Sequence, residues 1–210
     1  MHKAIKSGQL GDVHQMTFRL RPGDGQGRDA YLDRQPYFQK MKRFMVHETG
    51  VLYIDTFRYL FGNPIAVYAD LRQINPVIAG EDAGLILFDH PGGVRTVLDG
   101  NRNIDHSAGN LRRTMGEALV EGTKGALTLT GDGAVHFRAF GCVENTMLLA
   151  ADTHEGFGGD CVHAFHQHAV EGFFKGGVLE TLAQEYLTVI EIEEAVYASA
   201  QKGCKVSLPI

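Results

Sequence analysis

The chain has 210 residues, 44% of them hydrophobic, with 20 basic and 25 acidic side chains and a net charge of −5. No long basic run offers a footprint for a nucleic-acid backbone, no apolar run reaches the ~20 residues that span a bilayer, and the first residues lack the apolar core of a signal peptide. Cys142, Cys161 and Cys204 fit neither a zinc knuckle nor a disulfide framework and read as thiols in a reducing compartment, so the sequence predicts one cytoplasmic domain over 1–210 with no nucleic-acid or membrane partner.

Residues 1–7, followed by Gly8, read as the last turns of a helix closed by glycine. A strand is predicted over 12–21, where His14, Met16, Phe18 and Leu20 alternate with Gln15, Thr17, Arg19 and Arg21. The loop PGDGQGRD at 22–29 and a basic stretch through Gln35, Pro36, Tyr37 and Phe38 lead into 47–62, HETGVLYIDTFRYLFG, the segment around which the rest is arranged. Helical spacing puts Gly50, Val51, Tyr53, Ile54, Phe57, Leu60 and Phe61 on one arc. Glu48, Leu52, Asp55 and Tyr59 share the other face.

Strands follow at 65–74, 83–90, 94–101, 113–121, 126–130 and 134–140, with turns at 91–93, 123–125 and 131–133 short enough for hairpins. Neighbouring strands are therefore expected to run antiparallel, as a meander. The last third reads as helices at 160–175 and 181–202. In the second, Thr181 and Gln184 have capping-box spacing, Leu182, Val189 and Val196 form one stripe, and Gly203 closes the end before an edge strand at 205–208. The order predicts an α+β fold: an open, mainly antiparallel sheet with helices on one face. Apolar strand residues such as Val67, Leu87, Leu127 and Phe137 lead to the expectation that the other face is covered by self-association.

Several motifs fail on inspection. His47-Glu48 lacks the second histidine of H-E-x-x-H, because Val51 stands there, and Gly23, Gly25 and Gly27 follow a strand without opening a βαβ unit. No G-x-S-x-G elbow or P-loop is present. His163, His166 and His168 lie near Cys161, but 168 points away from 166, so a shared metal needs a broken helix, and the histidines are read as pocket or structural groups. Glu48 and Asp55, two turns and about 10 Å apart, are candidate acid or base groups. Pairing of Asp55 with Arg58, or with Arg43 or Arg72, is the structural alternative.

The segments IKSGQLG at 5–11, the 47–62 helix, Gly116-Glu117, EGTKG at 121–125 and EAVYASA at 194–200 together resemble the C-terminal domain of the glucose-fructose oxidoreductase, inositol dehydrogenase and MocA-like (Gfo/Idh/MocA) family, nearly end to end. The resemblance implies a fold like the C-terminal domain of glyceraldehyde-3-phosphate dehydrogenase. It also implies an NAD(P)-dependent oxidoreductase of sugars, cyclitols or related polyols, whose Rossmann domain and catalytic lysine precede this part. The 210 residues hold no counterpart of that first domain, and 1–8 is expected to be the remnant of the helix joining the two. NAD(P) is thus implied for the full-length family, and no cofactor is expected on this chain alone.

The family's D-x-x-x-H pair maps onto Glu48 and Leu52. Glutamate still takes a proton; leucine neither exchanges one nor hydrogen-bonds a hydroxyl. His47 lies about 140° around the helix from Leu52 and does not replace it. His168 is the substitute, because Gln167-His168 also resembles a pattern of the family. The resemblance assigns Glu48 to catalysis and Tyr37, Leu52, Asp55 and His168 to the substrate pocket. It implies a sugar or polyol ligand, a homodimer or homotetramer through the sheet, and inactivity without the Rossmann domain. The competing reading is a non-catalytic ligand-binding or dimerisation module from a truncated gene.

Overall fold

The computed structural model describes residues 1–151, 160–180 and 182–208. In chain order these form α1 (His2–Lys6), β1 (Val13–Leu20), a 3₁₀ turn (Pro36–Lys40), a π-helical turn (Met45–Gly50), α2 (Val51–Phe61), β2 (Ala66–Arg72), β3 (Ala83–Asp89), β4 (Arg95–Asn101), β5 (Gly116–Gly122), β6 (Gly125–Leu129), β7 (Val135–Ala139), β8 (Thr146–Leu149), α3 (Cys161–Lys175), α4 (Ala183–Lys202) and β9 (Val206–Ser207). The strands make one nine-stranded sheet in the order β8-β7-β6-β5-β1-β4-β3-β2-β9.

The sheet is antiparallel except at its centre, where β1 lies between β5 and β4 and runs parallel to β4. The expected simple meander is corrected there. A parallel pair needs a crossover, and the long connection from β1 through α2 supplies it by carrying the chain over one face before β2 begins. The four-residue β8 is exposed throughout and carries no alternation by which the sequence would announce it.

One face is closed by α2 and α4. Val51, Ile54, Phe57 and Leu60 of α2 and Val189, Ile192 and Val196 of α4 pack onto Phe18, Ile86, Leu98 and Val120 of the central strands. This burial is the main stabilising term of the fold. The core stripe of α4 begins at Val189, for Leu182 is exposed and stands at the N-cap; Thr181 of the expected capping box lies outside the described residues.

Of the four apolar strand residues behind the expectation of a covered open face, three turn to the core instead. Val67 and Leu127 are fully buried in the core, and Phe137 packs against it. Strand alternation fixes this: with Tyr68 outward, its neighbour Val67 points inward. The open face instead carries a register-aligned row of Leu119, Thr17, Val97, Leu87 and Tyr68, running across β5, β1, β4, β3 and β2.

At the far edge β9 pairs only with Ala66 and Val67. The next donor of β2, the N–H of Ala69, is taken by Ser199 Oγ of α4 at 3.0 Å, and Ser199 donates in turn to the Cys204 carbonyl at 2.7 Å. A helix side chain thereby occupies an edge that a two-residue strand leaves open.

The expected 47–62 helix is real from Val51 to Phe61 and closes on Gly62 at φ 84. Its first turn, however, is π-helical. Glu81 anchors that turn from outside: its Oε1 accepts the N–H groups of Phe44 (3.0 Å) and Val46 (3.1 Å) and the Tyr197 hydroxyl (2.7 Å). The extra residue per turn displaces Glu48 from the position that uniform helical spacing gives it relative to Leu52.

Candidate functional site

The site grows from a backbone stitch between the loop after β1 and the segment after β4. Gly23 takes a φ of 68° and donates to the Ile104 carbonyl, and Gly25 donates to the Arg102 carbonyl at 2.9 Å. A Cβ on Gly25 would lie 3.0 Å from that carbonyl oxygen, so the loop needs bare backbone to come so close. Asp24, between the two glycines, is thereby set beside Arg102.

The Arg102 side chain is the hub. Its Nε reaches Asp24 Oδ1 (3.2 Å) and the Tyr31 hydroxyl (2.9 Å), and Nη2 reaches Asp24 Oδ2 (2.9 Å). Nη1 donates to Glu48 Oε2 (2.6 Å) and to Thr49 Oγ1 (2.7 Å). Tyr31 donates onward to Asp24 Oδ1 at 2.9 Å, and the Thr49 hydroxyl donates to Glu48 Oε2. Only 1% of Arg102 is exposed, and its guanidinium carbon lies 4.6 Å from the Phe44 ring centroid, 5.3 Å from Tyr31 and 5.7 Å from Phe38.

A guanidinium so deeply placed is stable only with compensation. Burial alone would lower the Arg102 pKa; the hydrogen bonds and charge of Asp24, helped by Tyr31 and Glu48, outweigh it and hold the group above its ordinary value. Burial likewise raises the Tyr31 phenol, which stays a neutral donor. Arg102 thus carries its charge at any physiological pH and links Glu48 to Asp24.

Beside this hub opens a cleft of about 340 Å³, lined by Asp24, Tyr31, Arg34, Leu111, Arg112 and Met115 among others. Its volume lies at the small end of the range for small-molecule sites. Tyr53 of α2 donates to the carbonyl of Thr114, the neighbour of the lining residue Met115, at 3.3 Å, while its ring lies 4.1 Å from that of Phe18.

Of the residues named from sequence, Glu48 belongs to this hub through Arg102. Leu52 is on α2 with 58% of its surface exposed. Asp55 forms the expected pair with Arg58 at 2.9 Å and lines a different cleft of about 840 Å³ with Tyr59, Asn63 and Glu185. Tyr37 stands exposed on the 3₁₀ turn, its hydroxyl accepting from Gln35 at 3.3 Å. His168, on α3, accepts the backbone N–H of Glu180 at 3.1 Å. None of Tyr37, Glu48, Leu52, Asp55 and His168 lines the cleft beside Arg102; of the five only Glu48 touches the hub, through Arg102 and Thr49. Among the described residues no group of three His, Cys, Asp or Glu side chains is placed to hold a metal ion.

Comparison with known proteins fits this architecture. A profile described as the GFO/IDH/MocA C-terminal domain matches residues 1–128. The chain belongs to the GFO/IDH/MocA C-terminal domain family. It is 29% identical over 182 residues to a D-apiose dehydrogenase of Paraburkholderia graminis, covering 83% of this chain and 47% of the relative. It is 25% identical over 215 residues to a D-apiose dehydrogenase of Rhizobium rhizogenes, covering 97% and 59%. Among solved structures, an oxidoreductase from Agrobacterium radiobacter in complex with NAD+, L-tartaric acid and magnesium superimposes with a TM-score of 0.81 at 24% identity, over 98% of this chain and 60% of that one. The chain spans about half the length of the curated relatives it matches.

For a GFO/IDH/MocA C-terminal domain, the hub residues Asp24, Tyr31 and Arg102 went unnamed in the sequence reading. The available signals were an acid flanked by glycines in the loop after β1 and an arginine directly after the last residue of a strand. Gly23, Gly25 and Gly27 lead into turns, and among the described residues no α-helix opens directly after them.

Proposed function

We propose that these residues form the substrate-binding and oligomerising part of an NAD(P)-dependent oxidoreductase that acts on a sugar or polyol. The observation that carries this reading is the buried Asp24–Arg102–Glu48 network standing beside an open cleft. Such a network spends its energy on holding carboxylates and a phenol in fixed positions, which is what orienting a hydroxylated ligand requires. In this reading the nicotinamide is held by a separate nucleotide-binding domain.

In this reading Arg102 keeps Glu48 oriented. Glu48 Oε2 is occupied by Arg102 and Thr49, whereas Oε1 has no hydrogen-bond donor among the described residues and serves as acceptor for a substrate hydroxyl. Leu52 contributes no proton transfer. The open sheet face joins copies of the chain, and the protein works in the cytoplasm.

Fusing a nucleotide-binding domain of the same family to residues 1–210 and measuring NAD(P)H formation with aldoses and cyclitols tests the reading. Activity with Leu52 retained supports it. Activity that appears only with Leu52→His supports the non-catalytic module instead. The unfused chain is expected to form no NAD(P)H from any polyol, and steady turnover by it would refute the division of labour.

A further inference from the structure

Two guanidinium groups at the mouth of the Arg102 cleft lack an acceptor of their own. Among the described residues, the side chains of Arg34 and Arg112 come no closer to a carboxylate than 3.9 and 4.0 Å, in both cases to Asp24 Oδ2. Those are ion-pair distances beyond hydrogen bonding. The Asp24 oxygens are already engaged by Arg102 and Tyr31. Three guanidinium groups therefore converge on one carboxylate, with Glu48 as the other acid attached to the hub among the described residues.

The other acids of the lining do not make up the difference. Asp29 faces Arg28 at 3.5 Å with both side chains in solvent, and Asp33 is exposed. The Arg112 charge is disfavoured where it stands, first by burial and then by the neighbouring Arg34, and its pKa is lowered from the ordinary arginine value. An anion placed between the two side chains would offset both effects by its opposite charge, and a planar guanidinium pair suits a carboxylate or phosphate.

We propose that Arg34 and Arg112 clamp the acidic group of an anionic sugar, a sugar acid or a sugar phosphate, whose hydroxylated body fills the 340 Å³ cleft. This rests on the reading of that cleft as the substrate pocket. The common chemistry is an oxyanion on a polyol, and the two sources are told apart by direct comparison.

The test is calorimetric titration of the 210-residue chain with glucose, gluconate and glucose 6-phosphate. At least one anion is expected to bind about tenfold or more tightly than glucose, with affinity falling as salt is raised. The tighter of the two identifies carboxylate or phosphate. Arg112→Gln and Arg34→Gln, each checked for an unchanged melting temperature, are expected to lose about tenfold in anion affinity and little in glucose affinity. Arg95→Gln, at the opposite end of β4 from Arg102 and paired with Asp89 outside the cleft, is expected to bind like the parent. If glucose binds and neither anion binds better, the polyol pocket stands and the clamp is overturned. Equal anion binding by the folded Arg112→Gln and Arg34→Gln variants also overturns it. A chain that binds none of the three overturns clamp and pocket together.

Discussion

Arg102 is worth considering as an energetic object before a functional one. Its charge is removed from water, so most of its electrostatic attraction to Asp24 and Glu48 offsets desolvation and does not add to stability. Taking one partner away is a different matter. Arg102→Met would leave Glu48 without its cation and Asp24 with only the more distant Arg34 and Arg112, and is expected to cost about 3 kcal/mol in urea unfolding. Adding Asp24→Asn and Glu48→Gln to Arg102→Met removes the stranded charges and is expected to recover part of that loss. A single variant as stable as the parent would show that the hub carries no such strain. The same geometry explains what the sequence reading found and missed. Glu48 was visible through its place at the start of an amphipathic segment. Its partner lies 54 residues away, and Asp24 and Arg102 are separated by 78. No local period encodes a pairing across such distances.

The segment that presents Glu48 depends on Glu81 in a similar way. Without it, the N–H groups of Phe44 and Val46 at the head of the π-helical turn would be buried donors without an acceptor, and the Tyr197 hydroxyl would lose its partner. Glu81→Ala is expected to destabilise the protein by about 3 kcal/mol, the upper end for stranded buried donors. In hydrogen exchange the amides of Phe44 and Val46 should lose protection selectively while that of Ile54, deep in α2, keeps it. Uniform loss would mean that Glu81 supports the whole fold and not this turn. Helical periodicity made Val51–Phe61 legible, because burial of Val51, Ile54, Phe57 and Leu60 is written in the spacing. The π-helical turn was not legible, since it is set by a carboxylate 35 and 37 residues further on. The same contrast holds in the sheet: alternation located the strands from β1 to β7, while the parallel contact of β1 with β4 follows from where a long crossover returns the chain.

Across the whole molecule, the face of the sheet opposite α2 and α4 is left open. Nine strands at a spacing of about 4.8 Å make a surface roughly 40 Å wide, enough for the ~800 Å² per partner of a stable interface. Its middle is the row Leu119, Thr17, Val97, Leu87 and Tyr68, and on one side of that row Glu117, Arg19 and Asp99 stand next to one another, with Arg95 and Asp89 on the other. An apolar centre with a rim of both signs is compatible with pairing of identical faces. If copies join there, Leu119→Lys combined with Val97→Lys places like charges against each other at the centre of the contact. Neither residue belongs to the buried core, so the fold is expected to persist while sedimentation equilibrium shifts from dimer or larger to monomer. A parent chain that sediments as a monomer at about 100 μM, far above the micromolar range where interfaces of this size associate, would remove the open face from the assembly.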